Sequence, residues 1–445
     1  MKRTASAFLI AALAAGLPPG TARAVPAETI RIEPGVTMIV SRQPQIPLVS
    51  IVVLFRGGTL VEPASKAGVA ALTAELIQRG TRAHPGERFA TALDAIGARI
   101  GVDAGTDMVA VTLSSLTSRL DEALSLLEEM LVAPSLAPAD FEKVRAAAIA
   151  SLKAAEEDPG FIANRAFLKA LYGNHPYGRL VEGSKETLAT ITREDCAAYW
   201  KKISGSRGAT ITAAGDVTAS DLAGRVKRRL PGWLAHPGSP LPEPPKVPPP
   251  PAGPRLITVD RPLTQTTLLT GDQGIARLDP DYYALEVFNF VLGGGGFSSR
   301  LLDVIRDNRG LAYSVLSTFD ARLLPGPFEI RLETKNRTAR EALDLLRVQV
   351  AGAISKGLTP RELADAKAYL TGSYPRRYDT NDEMARFLAA TAFYGLGTDY
   401  DKIYPQKIRA VTQADVARAA KAHLHPDRFL VVAVGRIPES GLRAK

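Results

Sequence analysis

Apolar positions along the chain fall into short blocks whose spacing alternates between the two regular periods. Residues 48–60, LVSIVVLFRGGTL, read as an apolar β-ribbon, and residues 108–113 read as a strand. Residues 68–77, 120–131 and 139–157 carry apolar side chains at spacings drawn from i, i+3, i+4 and i+7, which gather on one face of a helix. Residues 379–390 and 413–423 repeat that helical spacing late in the chain. The order strand, helix, strand, helix, helix, strand predicts an α+β fold in which helices cover one face of a sheet.

These blocks recur. Glu122-Ala123-Leu124-Ser125-Leu126-Leu127 reappears as Glu341-Ala342-Leu343-Asp344-Leu345-Leu346, an offset of 219 residues. Ile191-Thr192 followed by Asp195 reappears as Val411-Thr412 followed by Asp415, and Gly215 after an apolar run reappears as Gly435 after residues 429–434, both offset by 220. Separate segments that share nearly one offset predict a duplicated unit. Between the copies, residues 231–254 hold about a third of the chain's 32 prolines. Proline has no backbone N–H and fixes φ, so this stretch predicts an extended linker with few contacts of its own. Two α/β sandwich-like domains follow, at 25–230 and 255–445.

Composition narrows the function. With 445 residues, 46% hydrophobic and 23% charged, the chain buries a large core. The formal charge of +9 falls to +6 without Lys2, Arg3 and Arg23, and no dense Lys/Arg cluster remains to track phosphates, which argues against a nucleic-acid partner. One cysteine, Cys196, excludes an internal disulfide framework and a Cys-rich zinc module. Residues 1–24 read as a signal peptide: a basic start, an apolar run at 7–17 and Ala22-Arg23-Ala24 as a cleavage site. The expected location is therefore periplasmic or secreted; an uncleaved anchor is the alternative, although Pro18, Pro19 and Gly20 break the helix first. No later apolar stretch approaches 18 residues, so no stable membrane insertion is expected.

The segment 68–81, GVAALTAELIQRGT, resembles the zinc helix of the pitrilysin and mitochondrial processing peptidase family, the inverzincins. Their pattern runs Gly-x-Ala-His-x-x-Glu-His to a closing Gly-Thr, with two histidines one helical turn apart as zinc ligands and the glutamate as general base. The resemblance places Ala71 and Glu75 at the ligand positions and Ala74 at the base position. The family's third ligand, a glutamate about 76 residues further on in a helix before an Asp-Pro pair, falls on Ser151, ahead of Asp158-Pro159. Zinc needs about three protein ligands, so no metal is expected in this chain. None of the histidines His84, His175, His236, His423 and His425 forms an i, i+4 pair that would replace the site. His175-Pro176-Tyr177-Gly178, which resembles a family loop, reads as a turn.

The second half keeps a different feature. Gly293, Gly294, Gly295, Gly296, Phe297 and Ser298 form a glycine-rich loop, followed by Arg306 and, seven positions on, Tyr313. This resembles the loop and the Arg/Tyr pair in the family's second, non-zinc half. Residues 298–308 read as a helix stopped by Gly310 and residues 312–319 as a strand, so both side chains can reach one cleft. The resemblance implies that the glycine loop lies along an extended peptide while Arg306 and Tyr313 donate hydrogen bonds to its carbonyl and oxyanion. In the alternative reading, Arg306 pairs with Asp303 or Asp307 and Tyr313 fills the core. A phosphate loop is excluded, since no Gly-Lys-Ser/Thr follows and the Gly-x-Gly-x-x-Gly spacing fails at Ser298.

Taken together, the resemblance implies the non-zinc subunit of a heterodimeric metallopeptidase. One half of a clamshell would close on unfolded peptide, with zinc, base and His-x-x-Glu-His in a homologous partner. A purely structural or peptide-holding scaffold is the alternative.

Overall fold

In the computed structural model, which describes residues 26–32, 35–238, 240–250 and 255–442, two mixed sheets organise the chain. The expected leader at 1–24 and the end of the linker, 251–254, lie outside the described residues. The first sheet holds β1 (Ala27–Ile32), β2 (Val36–Arg42), β3 (Leu48–Arg56), β4 (Arg99–Ala104), β5 (Met108–Leu116) and β6 (Thr210–Gly215), in the order β1-β2-β6-β3-β5-β4. The second holds β7 (Arg255–Asp260), β8 (Gln265–Gln273), β9 (Ala312–Phe319), β10 (Pro327–Lys335) and β11 (Leu430–Gly435), in the order β7-β11-β8-β10-β9. Apart from β1, the sheets are the same object. β2 pairs parallel with β6 as β7 does with β11, and every other pair is antiparallel in both.

The repeated letters of the sequence are the devices that set this topology. Gly215 and Gly435 end equivalent central strands. Glu122 and Glu341 lie in the first turns of the helices Leu120–Val132 and Ala339–Lys356, where an acidic group complements the exposed N–H groups. Thr192 and Thr412 cap the helices Arg193–Ile203 and Gln413–His423, each in a reciprocal capping box with the Asp three residues on. Gln413–His423 keeps the predicted bounds, and Pro138–Ala155 departs from 139–157 only at its ends.

Three expectations are corrected. The ribbon 48–60 stops at Arg56, because Gly58 takes φ +68° and a Cβ there would lie 2.1 Å from the carbonyl oxygen of Gly105; the chain closes instead as a 3-10 turn over Gly58–Val61. The linker is neither wholly extended nor free of contacts. Pro231–Leu234 is a short helix with proline at its start, where a missing N–H costs nothing. Glu128 accepts the N–H groups of Gly232 and Trp233, the buried Trp233 indole donates to the Ser204 carbonyl at 2.8 Å, and the carbonyls of Pro245 and Pro248 bond His175 and Gln273. Finally, helices cover both faces of each sheet, and the second cover comes from the other half. The first-half helix Pro159–Tyr172 packs Ile162, Phe167 and Leu171 on Leu269, Leu430 and Val432 of the second sheet. The second-half helix Asn381–Phe393 packs Met384, Ala385 and Leu388 on Ile39, Val52 and Leu54 of the first.

Polar contacts follow the same exchange. Thr212 Oγ1 donates to the Ala385 carbonyl at 2.7 Å and Asn381 to the Leu48 carbonyl at 3.2 Å. The buried Asp107 carboxylate accepts from Tyr177 Oη at 2.7 Å and from the Leu323 backbone at 2.9 Å, and Tyr177 Oη accepts in turn from Leu324. His175 serves the predicted turn: its Nδ1 accepts from the Tyr177 N–H, which leaves Nε2 to donate to the Pro245 carbonyl, and burial holds its pKa down. No helix of the described residues is long and apolar enough to cross a membrane.

Candidate functional site

The helix Val69–Ile77 enters through Gly68 at φ +96°, where a Cβ would lie 2.8 Å from the Glu182 carbonyl, so only glycine fits. Gly68 offers no capping side chain. Glu62 supplies the acceptor instead, taking the N–H of Gly68 at 3.2 Å and of Ala70 at 2.6 Å. Val69, Leu72, Leu76 and Ile77 bury one face of this helix, while Ala71 and Glu75, one turn apart, face the helix Pro138–Ala155. A cavity of about 500 Å³ opens between the two helices, and Ala71, Glu75 and Ser151 all line it. Ala74 is buried beside them. The predicted register therefore brings the three ligand positions together, and the side chains there do not fit zinc. Two carry no ligating group or only a hydroxyl, and the single carboxylate, Glu75, pairs with Arg79 at 3.4 Å on the exposed rim. Val144, Ala148, Leu152 and Phe161 make the rest of the wall largely apolar.

The glycine-rich segment lies between two widened helical turns. Tyr282–Asn289 continues as a π-helical turn over Phe290–Gly294, and Asp303–Asn308 forms a second after the short helix Arg300–Leu302. The predicted single helix 298–308 is thus broken. Such π turns are rare and recur at functional sites; the sequence pattern gives no signal for them beyond the glycines themselves. Packing accounts for three of those glycines. A Cβ at Gly293 would lie 2.5 Å from Ser317 Oγ in β9, at Gly294 2.6 Å from the Asn289 amide, and at Gly295 2.5 Å from the Phe290 carbonyl. Gly296 takes φ +60° in open space, and Ser298 Oγ donates to the Gly295 carbonyl. Of Phe297 only the backbone is described.

Arg306, on the second π turn, and Tyr313, near the start of edge strand β9, come together. The guanidinium carbon stands 5.3 Å from the ring centroid, within cation–π range. Arg306 also lies 3.7 Å from the Asp307 carboxylate, a loose contact. Tyr313 is 85% exposed, so the core reading of that residue fails and its hydroxyl faces outward. The loop is fixed by a group that the sequence reading missed. Arg300 makes two 2.6 Å bonds to Glu362 and one to the Gly357 carbonyl, and its charge holds the Glu362 carboxyl down at about 2. Only an Arg and a Glu 62 residues apart carry that signal in the sequence.

A second acidic group near the helix Val69–Ile77 is unusual. Glu62 is 5% exposed, and burial pushes its carboxyl up to about 7. Asp279, Asp281 and His423 gather within 4.8 Å, but Arg418 holds both oxygens of Asp281 at 2.9 and 2.5 Å, so the cluster is an ion-paired tie between helices. The lone Cys196 is buried, which raises its pKa to about 11 and leaves it an inert thiol.

Comparison with known proteins bears on this geometry. Residues 37–185 match the family described as "Insulinase (Peptidase family M16)", and residues 190–370 match "Peptidase M16 inactive domain". The chain is 27% identical over 387 residues to "Non-peptidase homolog YmxG" of Helicobacter pylori, covering 85% of this chain and 87% of that protein. It is 26% identical over 402 residues to "Uncharacterized zinc protease Rv2782c" of Mycobacterium tuberculosis, covering 90% and 91%. Among solved structures, the peptidase M16 inactive domain from Pseudomonas fluorescens superposes with a TM-score of 0.86 at 28% identity, covering 92% of this chain and 98% of that one. A protease from Helicobacter pylori shares the fold, with a TM-score of 0.84 at 18% identity over 92% and 99%.

Proposed function

This chain belongs to the peptidase M16 family, and from that premise we propose that it is the non-zinc subunit of a two-chain metallopeptidase. A homologous partner carrying His-x-x-Glu-His would supply metal, base and water, and this chain would hold the unfolded peptide. The observation that carries the reading is a contrast between two places in one fold. Ala71, Glu75 and Ser151 converge on one cavity with no ligand set, while Arg306, half-buried, packs against the exposed Tyr313 beside the glycine loop.

In this reading, Arg306 donates from its planar fork to a peptide carbonyl, and the Tyr313 hydroxyl donates to the oxyanion that develops as water attacks. Donors aimed at charge that appears only in the transition state raise kcat more than they tighten binding. The test is peptide hydrolysis by the zinc-bearing partner with saturating wild-type or Tyr313→Phe chain. A loss of about 100- to 1,000-fold in kcat with assembly unchanged supports the assignment. Equal kcat makes the chain a peptide-holding scaffold. The leader at 1–24 supports export, and fractionation of the native cell should place both subunits in the periplasm or medium.

A further inference from the structure

On the opposite side of the Gly68 turn from the degenerate zinc cavity, a cleft of about 640 Å³ lies between the helix Pro159–Tyr172, the loop after it and β7 of the second half. Its floor is apolar, built from Ile162, Ala166, Leu180 and Val259. Its charged lining is all of one sign: Arg165, Lys169, Arg179 and Arg261, with no carboxylate among the lining residues. Glu156 neutralises Arg165 at 2.9 Å. The other three have only neutral acceptors in hydrogen-bond reach. Lys169 bonds the Gly173 carbonyl and the Asn174 amide oxygen, Arg179 the Glu62 carbonyl at 3.4 Å, and Arg261 the Asp260 carbonyl at 3.2 Å. Glu62 attracts Arg179 through space, but its carboxylate is spent on the N–H groups of Gly68 and Ala70. Arg179 Nε is moreover fully buried and has no acceptor at all. A buried guanidinium N–H without a partner is costly, and among the described residues no carboxylate is ion-paired to Lys169, Arg179 or Arg261.

We infer that this cleft binds a small amphiphilic carboxylate, with its headgroup among Lys169, Arg179 and Arg261 and its apolar body on Ile162, Ala166, Leu180 and Val259. Charge-assisted bonds from guanidinium and ammonium groups are the strong ones for a carboxylate, and an apolar floor with a few convergent polar groups is the usual make-up of a small-molecule site. Neither half of the chain forms the site alone, since Arg261 and Val259 belong to the second half. The inference is independent of any role in proteolysis.

Titration calorimetry on the full chain with decanoate tests it, against decanol, decylamine and acetate as probes that lack the anion, reverse the charge or lack the apolar body. Decanoate should bind one per chain, at least about tenfold tighter than each control. Lys169→Met with Arg261→Met, both at exposed positions and with melting temperature checked against wild type, should weaken decanoate by about tenfold or more. Absence of decanoate binding, decanol or acetate binding within threefold of decanoate, or an unchanged affinity in the double variant would each overturn the site.

Discussion

Glu62 shows at the scale of one residue how a missing cap shapes chemistry. Because Gly68 cannot cap the helix that follows it, a carboxylate is drawn 5% exposed into the helix entrance, and its pKa rises from about 4.3 in the unfolded chain to about 7. The native state therefore keeps a proton that the unfolded chain has lost between those values. Stability contributed by the protonated form is complete below about pH 4 and declines as pH rises through about 7. Glu62→Gln keeps one of the two acceptor oxygens, enough for the shorter bond from Ala70, and removes the titration. Its urea midpoint should stay level between about pH 5 and 8, where that of wild type falls.

The zinc positions make a second residue-scale test. If Ala71, Ala74, Glu75 and Ser151 stand where the family's His, Glu, His and Glu stand, the combined replacements Ala71→His, Ala74→Glu, Glu75→His and Ser151→Glu should create one zinc site per chain by elemental analysis. Absence of zinc would show that the register is wrong. These positions came from the family motif, and Ser151 from that family's spacing of about 76 residues, not from periodicity in this chain. Glu62 was not legible, since a carboxylate six residues before the Gly68 cap gives no pattern of its own.

Among elements, the loop 293–298 rests on contacts that forbid side chains. Gly293→Ala would place a methyl 2.5 Å from Ser317 Oγ and 2.9 Å from its backbone nitrogen, so it should cost about 1–3 kcal/mol in thermal unfolding. Loss of the Arg300 partner acts on the same segment from the other end. Glu362→Gln should cost about 1–3 kcal/mol and loosen the loop, and hydrogen exchange at 293–300 would report it. Strand β9 and the duplicated segments could be read from period and spacing. The π turns could not, because one extra residue per turn leaves the apolar spacing of so short a stretch ambiguous. The short edge strand β4 escaped for a related reason: half-exposed and polar, it lacks the alternation that marks a core strand.

For the whole molecule, the offset of the repeats revealed two units but not how they are covered. Each sheet borrows its second layer from the other half, through Pro159–Tyr172 in one direction and Asn381–Phe393 in the other. Either half alone would expose an apolar sheet face and an apolar helix at once. Residues 25–250 expressed alone should therefore aggregate, or melt far below the full chain, whereas the full chain should unfold in one calorimetric transition.

That reciprocal exchange also bears on how the two halves are joined. A half-length chain with this topology would leave its second face uncovered unless two copies embraced, each lending its helix to the other as in a swapped dimer. Joining two such copies would change neither contact. It would turn an encounter between molecules into one within a chain, and the proline segment serves as a tether that sets local concentration. Cutting the chain between residues 240 and 250 and producing both pieces together should accordingly rebuild the same particle, a dimer in parts and a monomer in outline.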